Sequence, residues 1–275
     1  MEPSEEKEKW LEMLRAVEID VATPSFLSEI PSGLASDRVF WLDAVTRNWR
    51  VLCWVSLKLK ADKQLVLRAV QQHWSALAFA SAHFRADRDI MIDAVRQYGL
   101  VIHCASLELR SDKEVMLTAV TCAGCALAHA SPALQADKEL VLKAVLQNSI
   151  ALQWAGEELK ADSEVVWLAA KKNPSTFQWA SPSLKDDREL LLKVVKLAGC
   201  ALAHASPRLQ ADKEVVREAV KSEGCALLWV SPSLQADKEI VVQAIQQNPG
   251  ALQWADSNLK ADAAVVLMAA TLNPH

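Results

Sequence analysis

Glycine is scarce in this sequence, with seven among 275 residues. Loops that cradle phosphate groups need glycine because the backbone must approach the ligand closely, so the sequence has little material for them. No apolar run reaches the roughly 18 residues of a membrane-spanning helix, which excludes that class. Residues 1–6 carry three acidic side chains, which argues against a secretory signal and a transit peptide.

An excess of charge of one sign is also absent. The 30 basic and 34 acidic residues leave a formal net charge of −4 and a pI of about 5.9. Binding to nucleic acid or to an anionic lipid surface through bulk charge is therefore not expected. Hydrophobic residues make up 51% and charged residues 23%, as in a globular protein, which excludes wholesale disorder and a coiled coil.

The sequence does contain an internal repeat of fixed period. One aspartate returns every 25 residues, and we number the positions of each repeat from it, so that the aspartate is position 0. Residues 124–139 and 199–214 differ at one position although they lie three repeats apart. The aspartates are Asp37, Asp62, Asp87, Asp112, Asp137, Asp162, Asp187, Asp212, Asp237 and Asp262.

Each repeat is predicted to form two short helices. Positions +3, +4, +7 and +8 are apolar in most repeats, which is the spacing of a buried helix face. The aspartate suits the N-cap of this first helix, and the glycine or proline at +12 in most repeats indicates where it stops. A second helix of about two turns should end at the Ser-Pro dipeptide of several repeats, because proline cannot continue it. The leucine at +22 is expected to hold the following turn against the core.

Helices this short cannot bury their apolar faces alone, so successive repeats must stack. The predicted fold class is all-α, an elongated α-solenoid of 25-residue two-helix repeats. Residues 1–36 are expected to form an N-terminal capping helix and a degenerate half-repeat, residues 37–261 nine tandem repeats, and residues 262–275 an incomplete tenth repeat. The apolar side of the capping helix is expected to consist of Trp10, Leu11, Leu14 and Val17.

The repeat pattern ADKEVVLKAV…ALQWASPxLKAD resembles the family catalogued as domain of unknown function 4116. The resemblance extends over about residues 34–262 and rests on stretches such as residues 135–145 and 151–155. It implies no established activity and no catalytic residues. Cys104, His129 and His204 replace the usual aromatic residue of the repeat, and we do not expect them to disturb the fold.

Position +17 is aromatic in most repeats and would form a continuous stripe on stacking, which we call the aromatic column. Two interpretations are open. The rings could pack in the core between neighbouring second helices, or they could form a recognition surface, since Trp and His supply large contact areas. The aromatic column consists of Trp54, Phe79, Cys104, His129, Trp154, Trp179, His204, Trp229 and Trp254.

Two patterns that resemble metal sites have simpler explanations. Successive aspartates should lie about one helix spacing apart and cannot share a Ca²⁺ or Mg²⁺ ion, whereas N-capping accounts for their regularity. Cys122 and Cys125, with His129 four residues on, look like half of a zinc site, but a structural zinc ion needs four ligands. Cys125, Cys200 and Cys225 are instead expected to be small buried residues at +13. No metal and no cofactor is predicted.

The sequence marks no catalytic site, because it has no carboxylate pair, nucleophile elbow or phosphate loop. It predicts a non-catalytic protein-interaction scaffold, or a structural subunit of a larger assembly, with a protein partner. The alternative is a regulatory repeat domain, alone or within an enzyme, that binds a ligand or peptide at the aromatic column. Nucleic-acid binding is not expected, because no basic face is evident, and neither is membrane insertion. Six cysteines without a secretory signal predict the cytoplasm or another reducing intracellular compartment.

The repeat that begins at Asp262 departs from the pattern, because it lacks the basic residue at +1 and the acidic residue at +2. A terminal repeat normally turns a polar face to water, whereas this helix is apolar nearly all round. Val266 and Leu267 are therefore expected to be buried by a partner or to promote self-association. A chain that continues past His275 would explain the pattern equally well.

Overall fold

A computed structural model describes residues 3–16 and 25–272 of the chain. All regular structure in these two ranges is helical and recurs with the 25-residue period, which confirms the all-α solenoid class. The chain divides into two compact units, Met1–Leu134 and Gln135–His275, and within each unit consecutive repeats pack on one another. Within the described ranges, no helix combines the length and the hydropathy needed to cross a bilayer.

Each repeat begins with a helix of eight to ten residues that starts directly after its aspartate. Asp212 shows why, since its side chain accepts hydrogen bonds from the backbone N–H groups of Glu214 and Val215, both at 3.0 Å. These bonds satisfy donors that the first turn of a helix leaves without partners. The long helices are Arg38–Arg47, Lys63–Gln72, Arg88–Gln97 and Lys113–Cys122 in the first unit, and Lys138–Gln147, Ser163–Lys172, Arg188–Val195, Lys213–Ser222, Lys238–Gln247 and Ala263–Leu272 in the second.

The second helix of each repeat is a 3-10 helix of five or six residues. Position +11 has extended backbone, and in several repeats its side chain caps this helix. Asn148, for example, accepts a hydrogen bond from the N–H of Ile150 at 3.0 Å. A 3-10 helix of about two turns is usual in short connecting segments. The 3-10 helices are Ser25–Glu29, Trp49–Cys53, Trp74–Ala78, Gly99–Cys104 and Gly124–His129 in the first unit, and Ser149–Trp154, Pro174–Trp179, Gly199–His204, Gly224–Trp229 and Pro249–Trp254 in the second.

A third helical segment of about one turn follows in each repeat, which the two-helix prediction did not include. Ser181 caps one of these segments by accepting the N–H of Leu184 at 3.4 Å, and Pro182 occupies its first position, where no N–H is needed. The Ser-Pro dipeptide therefore begins a helix as well as ending the previous one. The short helices are Ser32–Ala35, Leu57–Lys60, Ala82–Ala86 (a 3-10 turn), Leu107–Arg110, Pro132–Gln135, Glu157–Lys160, Pro182–Lys185, Pro207–Gln210, Pro232–Gln235 and Ser257–Ala261.

The core of each unit lies between the long helices and the 3-10 helices. In the nine repeats that begin at Asp37 to Asp237, positions +3, +4, +7 and +8 of the long helices are buried, as the apolar pattern predicts, together with +14 and +15 of the 3-10 helices except at Leu252, which is half-buried. The leucine at +22 also packs inward and is fully buried at Leu209, although Leu234 and Leu259 are half-buried. Each repeat thus contributes one apolar layer to its unit.

The N-terminal helix covers the apolar side of the first long helix, Arg38–Arg47. It spans Pro3–Arg15 and buries Trp10, Leu11 and Leu14, with exposed fractions of 9%, 2% and 0%. An ion pair between Lys7 and Asp43 at 2.7 Å joins the two helices. Val17, the fourth residue predicted for this apolar side, lies outside the described residues.

Glycine at +12 has a different role from the helix-ending role that the sequence suggested. No described residue has a positive φ, so these glycines do not form left-handed caps. A Cβ atom at Gly99 would lie 2.7 Å from the carbonyl oxygen of Ala119 and 3.0 Å from the Cβ of Ala123. Glycine is needed there because the 3-10 helix approaches the next long helix closely.

Candidate functional site

The aromatic column is partly accessible to solvent in each unit. Eight of its nine residues are half-buried and Trp229 is 41% exposed. The neighbouring positions +14 and +15 on the same 3-10 helices are buried, as at Ala151 and Leu152, both with 0% exposure. Position +17 therefore lies toward the outward side of the 3-10 helix, its side chains are partly buried and partly accessible, and recognition by the column stays a prediction.

A second set of side chains lies beside the aromatic column. The backbone N–H at +19 donates to the carbonyl oxygen at +23 of the preceding repeat, as from Ser106 to Arg85 at 2.8 Å and from Ser206 to Lys185 at 3.0 Å. Because +19 is two residues beyond +17, this bond places the +23 residue next to the aromatic column of the following repeat. We call the cationic residues at +23 the basic column. It consists of Lys60, Arg85 and Arg110 in the first unit and Lys160, Lys185 and Lys260 in the second.

Two histidines of the aromatic column, one in each unit, lie beside a cation of the basic column. Burial lowers the pKa of His129, and the neighbouring His103 and Arg110 lower it further. Burial also lowers the pKa of His204, with Lys185 as the second cause. Both imidazoles are therefore neutral at pH 7, and the positive charge at these two places belongs to Arg110 and Lys185.

The first unit contains a small cavity at one position of the aromatic column. Its volume is about 140 Å³, and its lining includes Trp74, Leu77, Val101, Cys104 and Arg85. Cys104 is smaller than the aromatic or histidine side chains at the other column positions, which leaves this space open. The cavity thus presents an apolar recess with one cation in its wall.

Cys104 is also hydrogen-bonded to a neighbouring histidine. Its Sγ lies 3.0 Å from Nε2 of His103, and Nδ1 of the same ring lies 2.8 Å from the carbonyl oxygen of Leu100. The protonated Nδ1 donates to that carbonyl, so Nε2 is the acceptor for the thiol proton. This arrangement fixes the direction of the Cys104 side chain.

Four aromatic rings form a stack in the first unit that sequence reasoning missed. Trp49 stacks on His73 at a centroid distance of 4.8 Å, His73 contacts Trp74 at 5.7 Å, and Trp74 stacks on Tyr98 at 4.7 Å. These residues alternate between +12 of one repeat and +11 of the next. The signal was present in the sequence as aromatic residues at adjacent positions of successive repeats.

The capping aspartates also form ion pairs between repeats. The cation at +1 of one repeat contacts position 0 of the next, and in most repeats an acidic side chain at +2 as well. Lys138 lies 2.8 Å from Asp162 and 2.7 Å from Glu164, and its ammonium group holds the pKa of Asp162 below the usual range. The other pairs are Arg38–Asp62, Lys63–Asp87, Arg88–Asp112, Arg188–Asp212, Lys213–Asp237 and Lys238–Asp262.

These ion pairs neutralise the capping aspartates and leave no open cation site there. Exposed pairs of this kind contribute only about 0.2–1 kcal/mol each, much less than the apolar core. One repeat lacks the pair, because Ser163 occupies +1 and no described cation reaches Asp187. Asp187 nevertheless caps its helix by accepting the N–H of Leu190 at 2.9 Å.

Because Asp187 forms no ion pair with a described residue, its contribution as an N-cap can be measured separately from that of an ion pair. We expect Asp187→Ala to lower the free energy of unfolding by about 0.5–2 kcal/mol through the lost N-cap alone. Asp212→Ala should cost up to about 1 kcal/mol more, because it also removes the partner of Arg188. Equilibrium urea unfolding of both variants would show this difference. Equal losses would mean that the ion pair contributes nothing measurable.

The cysteines at +13 are more exposed than predicted. Cys200 is exposed, and Cys125 and Cys225 are half-buried, because +13 faces outward at the start of the 3-10 helix. Although the residue is exposed as a whole, partial desolvation of its thiol raises the pKa of Cys200, and Glu223 raises it further. Across residues 3–16 and 25–272, no group of three or more His, Cys, Asp and Glu side chains is arranged to hold a metal ion.

The last described helix, Ala263–Leu272, exposes apolar side chains. Val266 is 39% exposed, Leu267 65% and Leu272 48%. Val265 and Ala269 face the preceding repeat and are buried. Self-association through Val266 and Leu267 stays a prediction.

Comparison with curated proteins and with solved structures gave no match in either case. A family model matches the chain repeatedly, each match spanning about two repeats. The first seven matches overlap and cover residues 37–235, in the ranges 37–85, 62–110, 87–135, 112–160, 137–185, 162–210 and 187–235, and an eighth covers residues 237–275. The chain therefore belongs to the family described as Domain of unknown function (DUF4116).

Proposed function

We propose that this chain is a non-catalytic interaction protein whose aromatic column binds an extended segment of a partner protein. The observation that supports this function is the partial exposure of the column in every repeat, next to buried positions on the same helices. Aromatic side chains of this size contribute strongly at protein interfaces because they lose few rotamers on binding. Packed repeats present such side chains at regular intervals to a single partner.

The spacing of the repeats suits an extended peptide. Packed helices lie about 8–10 Å apart, and an extended polyproline II chain rises about 3.1 Å per residue. About three residues of a bound peptide would therefore pass each repeat within one unit. Every third side chain of such a segment would meet one residue of the aromatic column.

The test is selection of binders from a random peptide library, followed by affinity measurement with variants of the second unit. We expect the double variant Trp179→Ala/Trp229→Ala to bind the selected peptides at least about tenfold more weakly than the unmodified protein. Trp167→Ala is the matched control, because Trp167 lies on the long helix Ser163–Lys172 and outside the aromatic column. The proposal would be contradicted if the library yielded no binding peptides, or if the double substitution left the affinity of the selected peptides unchanged.

A regulatory domain for a small ligand is the second candidate. The cavity of about 140 Å³ beside Cys104 is the observation that favours it. Such a domain would bind one compact molecule at the first unit and would be insensitive to the substitutions at Trp179 and Trp229. The same variants therefore distinguish the two functions.

A further inference from the structure

The cations of this protein fall into two groups with different partners. The cations at +1 face acidic residues of the next repeat and are neutralised in most repeats, as Lys213 is by Asp237 at 2.8 Å and Glu239 at 3.0 Å. In the first unit, the two arginines of the basic column have no such acidic partners among the described residues. No described carboxylate pairs with Arg85 or Arg110, and Nε of Arg110 is buried without a hydrogen-bond acceptor. The net charge of −4 does not reveal the basic column, because that sum also counts the acidic residues of the whole chain.

The unneutralised cations of the first unit lie beside an apolar recess. Arg85 lines the cavity that Cys104 leaves open, together with Trp74, Leu77 and Val101. Arg110 occupies the same position one repeat later and lies near His129, which is neutral. A cavity of about 140 Å³ is several times the roughly 30 Å³ that one water molecule occupies in the liquid, so it has room for part of a side chain.

We propose that the first unit binds an acidic peptide segment of a partner protein, with an apolar side chain in the Cys104 cavity and carboxylates at Arg85 and Arg110. This inference rests on the proposed function and specifies the chemistry of the partner. Arg forms paired hydrogen bonds with carboxylates, and these bonds are stronger when both groups carry charge. The neutral His129 adds no second cation, so the arginines set the charge preference.

The same cations could attract single-stranded nucleic acid, but the column in this unit does not suit it. Binding of bases depends on successive aromatic platforms along a positively charged groove. Cys104 interrupts the aromatic positions between Phe79 and His129, and the chain as a whole carries a net charge of −4. An acidic peptide needs only the local cations and one apolar recess.

The test uses a fluorescent peptide of Glu, Asp and Ser residues with a single Leu. A second peptide has Lys in place of the acidic residues and tests whether binding depends on negative charge. A third has Ser in place of Leu and tests whether the cavity binds an apolar side chain. Single-stranded oligothymidylate tests whether any polyanion binds. The protein variants are Arg85→Gln/Arg110→Gln and Cys104→Trp. Trp is the usual residue of the column, so Cys104→Trp should fold and fill the recess. Arg68→Gln is the matched control, since Arg68 is an exposed cation on the long helix Lys63–Gln72 of the same unit.

We expect the acidic Leu peptide to bind at least about tenfold more tightly than its basic version, with affinity falling as salt rises. The double arginine variant should weaken binding about tenfold or more, and Arg68→Gln should leave it unchanged. Cys104→Trp should weaken the Leu peptide to the affinity of the Ser peptide. Circular dichroism of each variant would show whether its helices are intact.

Three results would overturn this inference. They are equal binding of the acidic and basic peptides, no effect of the arginine substitutions, and binding of oligothymidylate as tight as that of the peptide. The proposed function would survive any of them if library peptides still depended on Trp179 and Trp229. Conversely, acidic-peptide binding at the first unit, together with library peptides that show no dependence on Trp179 and Trp229, would limit recognition to the first unit and contradict the wider role of the column.

Discussion

Phe177→Ala should lower the free energy of unfolding by about 3–5 kcal/mol, the loss usual for a large aromatic side chain removed from a core. Phe177 lies at +15 of its repeat and has no exposed surface. The substitution removes buried apolar area and leaves a cavity that a packed repeat fills only in part. Urea unfolding, with amide hydrogen exchange to locate the weakened repeats, would measure the effect.

Trp179→Ala is the informative comparison, because it removes a larger side chain only two residues away. Trp179 is half-buried and keeps one side in contact with water, so less apolar area is lost from the core. We expect its cost to be less than half that of Phe177→Ala. Phe177→Leu, which restores the usual residue at +15, should cost less than about 1.5 kcal/mol. A loss at Trp179 as large as that at Phe177 would show that the column supports the fold rather than a partner.

The sequence was sufficient to predict the repeat, the all-α class and the starts of the long helices. Each of these depends on a local and repeated signal, such as an aspartate whose carboxylate reaches the first turn at Asp212. The third helical segment was missed because proline was considered only as a helix stop. Pro182 fits the first position of a helix equally well, and the sequence alone does not distinguish the two roles.

The candidate site was less predictable, because it depends on contacts between repeats. The aromatic column was identified from its period, but its exposure depends on which side of the 3-10 helix meets the long helices. The basic column was missed because its residues, such as Arg85, gain meaning only from their place beside +17 of the next repeat. The ion pairs at +1 were missed for the same reason, since Lys138 and Asp162 are 24 residues apart.

Gly199→Ala should lower the free energy of unfolding by about 1–3 kcal/mol, which is a large cost for one added methyl group. An added Cβ would overlap the carbonyl oxygen of Ala219 and lie 3.0 Å from the Cβ of Glu223. Both belong to the next repeat, so the 3-10 helix and the following long helix would have to separate. Hydrogen exchange should therefore increase in the repeats on both sides of this junction, while the repeats farther away remain protected.

Gly33→Ala is the matched control, because nothing lies within 4 Å of the Cβ that it would add. Gly33 is exposed in the short helix Ser32–Ala35, and alanine there should be neutral or stabilising by up to about 1 kcal/mol, since it restricts the unfolded chain. Ser149 and Pro174 occupy the position of Gly199 in other repeats, so a side chain at +12 is compatible with the fold in those repeats. The cost at Gly199 consequently measures how closely these two repeats pack. If Gly199→Ala lowered the free energy of unfolding no more than Gly33→Ala does, the two helices would be able to separate at no cost. Glycine at +12 would then have no packing role.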